Sequence, residues 1–363
     1  MILLAYFVFI FSLLQLGIGV VNLLTARISP GSAPVRDIKV SVLIPARDEE
    51  ENISGLLEDL VKQDYLNIEV FVFDDESTDS TAEIVRHYAS KDKRIGLITS
   101  EGLPEGWLGK NWACHSLSRR ASGQYLLFLD ADVRIGVDAL AGTLSLAEEK
   151  KLDLLSVFPK QIQKSAGEKS TVPVMNYILL SLLPLILIRK VSFPSVAAAN
   201  GQFMLFKSDT YQSVLPHKTL KNSKVEDISI ARMYKRLGAA VATYTGNDSI
   251  RCRMYSGFEE AVNGFSRNIV CFFGNSYLLA ILFWFISTLG FVLVWLYLPF
   301  AIFITYLMVY FSTRLVISLA GRESYLQNLI YILPQQISMG MMILKSILSK
   351  RKESYTWKGR NIY

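Results

Sequence analysis

The sequence predicts an α/β domain, a Rossmann-like and mostly parallel sheet with helices on both faces, joined to transmembrane helices. Three observations lead there. Between Lys39 and Tyr255, short β-rich runs alternate with amphipathic helical stretches, the pattern of βα units. The early runs end in polar residues, Pro45 to Glu51, Asp74 to Asp79 and Asp130 to Asp132, and open parallel sheets bind ligands beyond the carboxyl ends of their strands. Long uncharged stretches lie outside this region on both sides. The composition is split in the same way: 51% of the 363 residues are hydrophobic and 19% charged. The mean hydropathy of +0.30 is too apolar for an average soluble protein, while the charge excludes one embedded throughout.

In chain order, Ile2 to Leu24 carries no charged side chain, and about 20 apolar residues suffice to cross a bilayer. Met1 is followed directly by apolar residues, without a basic head or a small-residue cleavage site, so residues 1–26 are expected to be an uncleaved anchor. A domain over 38–256 follows, with strands "KVSVLIPA", "IEVFVFDD", "RIGLI", "QYLLFLDADVRI" and "LDLLSVF". Helices are expected over Glu50–Lys62, Ser80–Ala89, Lys110–Ala121 and Val137–Lys150. Residues 257–275 are read as an interfacial helix and 276–320 as a membrane hairpin, Tyr277–Leu298 then Pro299–Ala320. Residues 325–349 are an interfacial or further membrane helix, and 350–363 a basic tail.

Lys and Arg favour the cytoplasmic side. A tail on the same side as Arg27, Arg36 and Lys39 requires three spans, which makes the chain a multi-pass protein of the cell membrane with its central domain in the cytoplasm. The net charge of +6 then fits attraction to anionic membrane lipids, and no basic-aromatic motif points to nucleic acid. Three cysteines, all on that side, are expected to be reduced.

No G-x-G-x-x-G follows the first strand and no G-x-x-x-x-G-K-[ST] occurs, so any phosphate must be handled otherwise. Asp130 and Asp132 offer a means, since positions i and i+2 of an extended chain point the same way and two carboxylates suit Mg²⁺ or Mn²⁺. A plain strand-end turn with a helix cap is the alternative. His87, His115 and His217 have no ligand-spaced partner, so no zinc site is expected.

"VLIPARDEEENI" (42–53), "FVFDDESTDST" (71–81), "LFLDADV" (127–133) and "NSKVEDISIARMYKRLG" (222–238), in that order, resemble the family-two glycosyltransferases of the GT-A fold. "LPEGWLGKNWACHSL" (103–117), "CRMYSGFEEAVNGFSRN" (252–268) and "WKGR" (357–360) are similar to a membrane-bound subgroup that includes diaponeurosporenoate and hopanoid-associated glycosyltransferases. The resemblance implies transfer of a sugar, with inversion, from a nucleotide donor, UDP-linked, to a lipid or lipid-like hydroxyl. It puts Asp74 and Asp75 at the base and ribose, with Pro45, Ala46 and Glu49 as the opposite wall. Asp132 would hold the metal, Asp130 would sit nearer the ribose or share the ion, and Lys110 would meet a phosphate. Asp227, the second residue of the "ED" element, would be the base; an acidic helix start explains it equally well on dipole grounds. Trp107 and Trp112 stack on a sugar or pack the loop. A processive polysaccharide synthase is a competing enzyme, but of its Q-x-x-R-W only Arg267 survives in Gly264–Asn268. A polyprenyl-phosphate sugar synthase and a catalytically silent membrane scaffold complete the alternatives.

Overall fold

Apolar residues run almost unbroken along several of the strands, and the sheet buries both of their faces. The computed structural model describes residues 1–28, 38–352, 356–357 and 360–361, so the expectations for Arg36 and for much of the basic tail lie outside the described residues. Its strands are β1 (Val40–Ala46), β2 (Ile68–Asp74), β3 (Ile95–Thr99), β4 (Tyr125–Leu129), β5 (Val133–Ile135), β6 (Leu154–Phe158), β7 (Lys160–Gln161), β8 (Phe203–Lys207), β9 (Val241–Thr245) and β10 (Ile250–Cys252). Among the described residues the main sheet has the order β3-β2-β1-β4-β8-β6-β9, and β5-β10-β7 form a small second sheet. β1 is parallel to β2 and β4, β2 to β3, and β6 to β9. β8 alone in the main sheet runs antiparallel, between β4 and β6. The loop that enters β8 therefore arrives at the edge where the parallel strands end.

Leu126 and Phe128 of β4 and Met204 and Phe206 of β8 point into one core, while Leu127, Leu129, Phe203 and Leu205 point into the other. The helices are α1 (Ile2–Thr25), α2 (Ile53–Val61), α3 (Thr81–Lys91), α4 (Gly109–Ser118), α5 (Ala139–Glu149), α6 (Ala166–Thr171), α7 (Pro173–Leu182) and α8 (Ile186–Lys190). They continue with α9 (Ser208–Val214), α10 (Pro216–Thr219), α11 (Glu226–Arg236), α12 (Phe258–Ser266), a 3₁₀ turn at Ile269–Phe273, α13 (Tyr277–Tyr297), α14 (Phe300–Ala320), α15 (Tyr325–Ile330) and α16 (Ile332–Lys352). α2 shows why these form: Ile53, Leu56, Leu57 and Leu60 recur at helical spacing, and all are buried.

Among the described residues, α1, α13 and α14 are long and apolar enough to cross a membrane, with mean hydropathies of 2.3, 2.4 and 1.8. Pro299 stands between α13 and α14, where it cannot continue a helix, and keeps the hairpin turn short. α16 instead packs against α12, α6 and α13, where Gln336 accepts hydrogen bonds from Trp284 Nε1 (2.8 Å, to the backbone) and Thr288 Oγ1 (2.9 Å, to the side chain).

The apolar core on the β4 Phe128 side does not stop at the domain. It runs through Tyr177 and Ile178 of α7 into Phe283 of α13, Ile317 of α14 and Met342 of α16. The polar backbone is joined as well: Thr245 N donates to Ala26 O (2.7 Å) and Ile28 N to Thr245 O (3.1 Å), which extends the last strand of the sheet into the end of α1. The Thr245 hydroxyl also donates to Ala320 O at the end of α14 (3.1 Å).

Asn22 fastens α1 to the segment after the sheet. Fully buried, it donates to Leu180 O (2.9 Å) and Leu183 O (2.8 Å) and accepts from Leu185 N (2.8 Å), which satisfies the backbone where α7 gives way to α8. Asn22→Ala removes all three bonds and leaves buried backbone groups without partners. The expected loss is about 2–4 kcal/mol, read as a lower Tm of the protein in detergent; an unchanged Tm would mean that this junction carries no stability.

Candidate active site

The parallel register sets Ala46 beside Asp74, so Pro45, Ala46, Asp74 and Asp75 stand together at the carboxyl edge of the sheet. Asp75 N donates to Ala46 O (2.9 Å), and both aspartates are buried. The loops after β1 and β2 bind each other reciprocally. Asp48 accepts from Thr78 N (2.7 Å) while its own amide donates to Ser77 Oγ (3.0 Å). Glu50 accepts from Ser80 N and its amide donates to Asp79 Oδ2, both at 3.0 Å. Asp48 and Glu76 take the left-handed conformation at φ of 51° and 57°, the conformation that turns both chains sharply. Glu49 N donates to Thr81 Oγ1 (2.8 Å), and its carboxylate accepts from Asn52 (2.8 Å). The "DDESTDST" run thus does turn the chain and start a helix, with Asp79 Oδ1 accepting from Thr81 N (2.9 Å), in addition to any contact with a ligand.

One expectation needs correction. β4 ends at Leu129, and Asp130–Asp132 lie in a turn closed by Val133 N donating to Asp130 O (3.2 Å), so the extended-strand spacing is not what pairs their carboxylates. The turn serves instead because β5 leaves the main sheet to pair with β10. Asp132 is thereby folded toward Gln202 Nε2 (3.4 Å) and the Cys252 thiol, while Asp130 faces Lys110.

Lys110 is the second residue of α4, set there by Asn111, whose buried amide donates to Leu220 O, Lys221 O and Ser223 O at 2.9–3.2 Å. Its Nζ lies 2.8 Å from Asp130 Oδ1, 2.9 Å from Oδ2 and 3.4 Å from Glu226 Oε1. Gly201, in the loop that enters the reversed strand β8, closes this cluster: a Cβ there would meet Lys110 Nζ at 3.1 Å, Glu226 Oε1 at 3.3 Å and Asp227 Cβ at 3.7 Å. Its amide donates to Asp227 Oδ2 (3.1 Å), and Ile228 N donates to Asp227 Oδ1 (2.7 Å). The Asp227 carboxylate is aimed by two amides, with lone pairs left on both oxygens.

Burial, and after it the charge of Asp130, pushes the Asp132 carboxyl up to about 7, and Glu49 adds to the rise. Burial, then the adjacent Glu226, likewise pushes Asp227 up to about 7. Burial works against the charge of Lys110, but Asp130 and Glu226 outweigh it and hold that ammonium well above its ordinary range. Asp132 Oδ1 is buried without a hydrogen-bond partner. A hard divalent cation suits that oxygen, because such ions bind through one or two carboxylates and complete their shell with water and substrate phosphate.

The structure therefore brings Lys110, Asp130, Asp132 and Asp227 together beside Gly201, while Pro45, Ala46, Glu49, Asp74 and Asp75 form a neighbouring wall whose Glu49 is felt electrostatically by Asp132. Trp107 and Trp112 pack on each other (centroids 5.2 Å apart), and Trp107 stacks on His115 (5.3 Å).

Residues 41–215 match the Glycosyl transferase family 2 model. Over these residues the chain carries a glycosyl transferase family 2 domain. Over 240 residues it is 28% identical to the 4,4'-diaponeurosporenoate glycosyltransferase of Staphylococcus haemolyticus, covering 63% of this chain and 60% of that protein. Over 239 residues it is 27% identical to the protein of the same name from Staphylococcus aureus, with the same coverage. The match thus spans 60% of the length of these curated relatives. A mannosyltransferase from Pyrobaculum calidifontis, solved with GDP-Man and Mn²⁺, shares the fold at a TM-score of 0.56 and 16% identity, covering 96% of this chain and 99% of that one.

Sequence reasoning did not single out Gln202, Glu226 and Cys252, which the structure sets beside Asp132 and Lys110. Gln202 is buried, donates to Cys252 Sγ (2.9 Å), and stands opposite Asp132. Its amide carries no pattern of its own. The signal for Glu226 was present in the "ED" pair, but only the second residue was assigned a task.

Proposed function

We propose that the protein transfers a sugar from a nucleoside-diphosphate donor to a hydroxyl of a lipid or lipid-like acceptor at the cytoplasmic membrane surface, with inversion at the anomeric carbon. The observation that carries this reading is the gathering of Lys110, Asp130, Asp132 and Asp227 around Gly201 and Gln202, beyond the strand ends that carry Ala46 and Asp74. UDP-sugars are the donors to test first, on the sequence resemblance. GDP-Man is the second, since a similarly folded mannosyltransferase holds it. Two features favour a lipid acceptor: relatives named for 4,4'-diaponeurosporenoate, and a core shared between the domain and the candidate spans. Arg27 at the end of α1 favours the cytoplasmic side.

In this reading Asp74 and Asp75 hold the base and ribose against Pro45, Ala46 and Glu49. Asp132 and Asp130 would hold a divalent cation, Mg²⁺ or Mn²⁺, which would supply positive charge to the departing diphosphate. Lys110 adds a second charge from the start of α4, where backbone amides also face a phosphate. Asp227 accepts the proton of the acceptor hydroxyl as that oxygen bonds to the anomeric carbon from the face opposite the diphosphate, whose own bond to that carbon breaks. The proton ends on Asp227, and the nucleoside diphosphate leaves.

The base must be ionised to act, and the Asp227 carboxyl is held up at about 7. kcat/KM should therefore fall as the pH drops through about 7, and approach a loss of roughly tenfold per unit below it. Asp227→Asn should abolish transfer and leave nucleoside-diphosphate affinity, measured by calorimetry, within a few-fold of wild type. Loss of that affinity or of folding would reduce Asp227 to a helix-start residue, and unchanged transfer would point to an acceptor phosphate that needs no base.

Asp132→Asn should lower the transfer rate by at least about 10²-fold, the scale on which single electrostatic stabilisers act. Activity in excess chelator should fall comparably and return with Mn²⁺. Near-normal turnover in chelator would sink the metal reading.

A further inference from the structure

Lys110 occupies one of the two carboxylates proposed to hold the cation. Both oxygens of Asp130 are in contact with its Nζ, at 2.8 and 2.9 Å, and Glu226 Oε1 is at 3.4 Å. The charge has a reason to be there. Asp130, Asp132, Glu226 and Asp227 crowd one edge, and carboxylates gathered so closely call for a cation among them. Lys110 supplies one, on a flexible four-carbon stem whose base is fixed at the start of α4.

We propose that Lys110 is an exchangeable counter-ion, which occupies Asp130 in the donor-free protein and yields it to the divalent cation only when a diphosphate arrives to receive the ammonium. The proposal rests on the metal-dependent reading above and concerns the order in which the site fills. A divalent ion cannot share both Asp130 oxygens with an ammonium at 2.8 Å without strong repulsion. Binding of the ion alone therefore means driving Nζ off its best partner, toward Glu226 only. A donor diphosphate changes the balance, because it offers Nζ new oxygens of opposite charge at the moment it offers the same to the cation. Gly201 leaves the ammonium room to shift: a Cβ at that position would already be 3.1 Å from Nζ. Metal and diphosphate then raise each other's affinity, directly and through the displacement of Lys110.

The test is Mn²⁺ binding to the full-length protein in detergent, read from the loss of the free Mn²⁺ electron paramagnetic resonance signal, without and with UDP or GDP. Wild type should bind Mn²⁺ weakly alone and at least about tenfold more tightly with UDP. Lys110→Gln should bind Mn²⁺ alone at least about tenfold more tightly than wild type, and gain less from UDP. Lys110→Arg keeps a cation beside Asp130 and should stay as weak as wild type. Melting curves identify any variant that does not fold, and the wild-type comparison stands without them. Tight Mn²⁺ binding by wild type alone, or equal binding by wild type and Lys110→Gln, overturns the counter-ion proposal and leaves the metal reading intact. No Mn²⁺ binding by any form, with UDP or with GDP, overturns both.

Discussion

The backbone bonds between Thr245 and the end of α1 are the connection on which the arrangement depends. A sheet that bound its ligand at the carboxyl edge, tethered to a membrane helix by a loose linker, would have no fixed height above the bilayer. Here Ala26 and Ile28 join the sheet at Thr245, the last residue of β9, on the edge that carries the site. The same threonine reaches Ala320 at the end of α14. The ends of two candidate spans are thus tied to the strand end by hydrogen bonds to a single residue.

The reversed strand β8 solves a second problem. A purely parallel sheet gathers loops that leave strands, and helix starts follow those loops at once. By running backwards between β4 and β6, β8 brings an entering loop to the same edge. Gly201 and Gln202 on that loop then touch both halves of the site: the Gly201 amide meets Asp227 from α11, and the Gln202 side chain meets Asp132 from the turn after β4. The glycine is needed for closeness, since its φ is not in the left-handed range and the crowding around its missing Cβ is what a larger residue would disturb.

Much of this was legible in the sequence, for physical reasons. Strands such as Tyr125–Leu129 are uniformly apolar because both faces are covered, and a sudden pair of aspartates after such a run marks its end. The order of strand ends carrying Pro45, Asp74 and Asp130 was enough to place them on one edge. The α7–α8 region was not legible. Val172 to Ile188 is almost continuously apolar with Pro184 inside it, and periodicity alone does not separate a buried helix from a strand or a membrane segment in such a run. Its shape is decided by Asn22, more than 150 positions earlier, through bonds no local pattern announces. The pairing of Asp130 with Lys110 was hidden for the same reason: twenty positions of chain separate them, and the turn that turns Asp130 toward Lys110 exists because β5 is claimed by another sheet.

The loops after β1 and β2 exchange hydrogen bonds in both directions, Asp48 with Ser77 and Thr78, Glu50 with Asp79 and Ser80. For anyone seeking to redesign this edge, this makes the two loops one inheritable unit. A replacement in one strands the donors and acceptors of the other, so single substitutions should disappoint where a paired graft of both segments from a relative succeeds. Drift in one loop would be tolerated only when matched across the strand gap, which ties the history of Asp48 to that of Thr78 more closely than to that of its own neighbours in the chain.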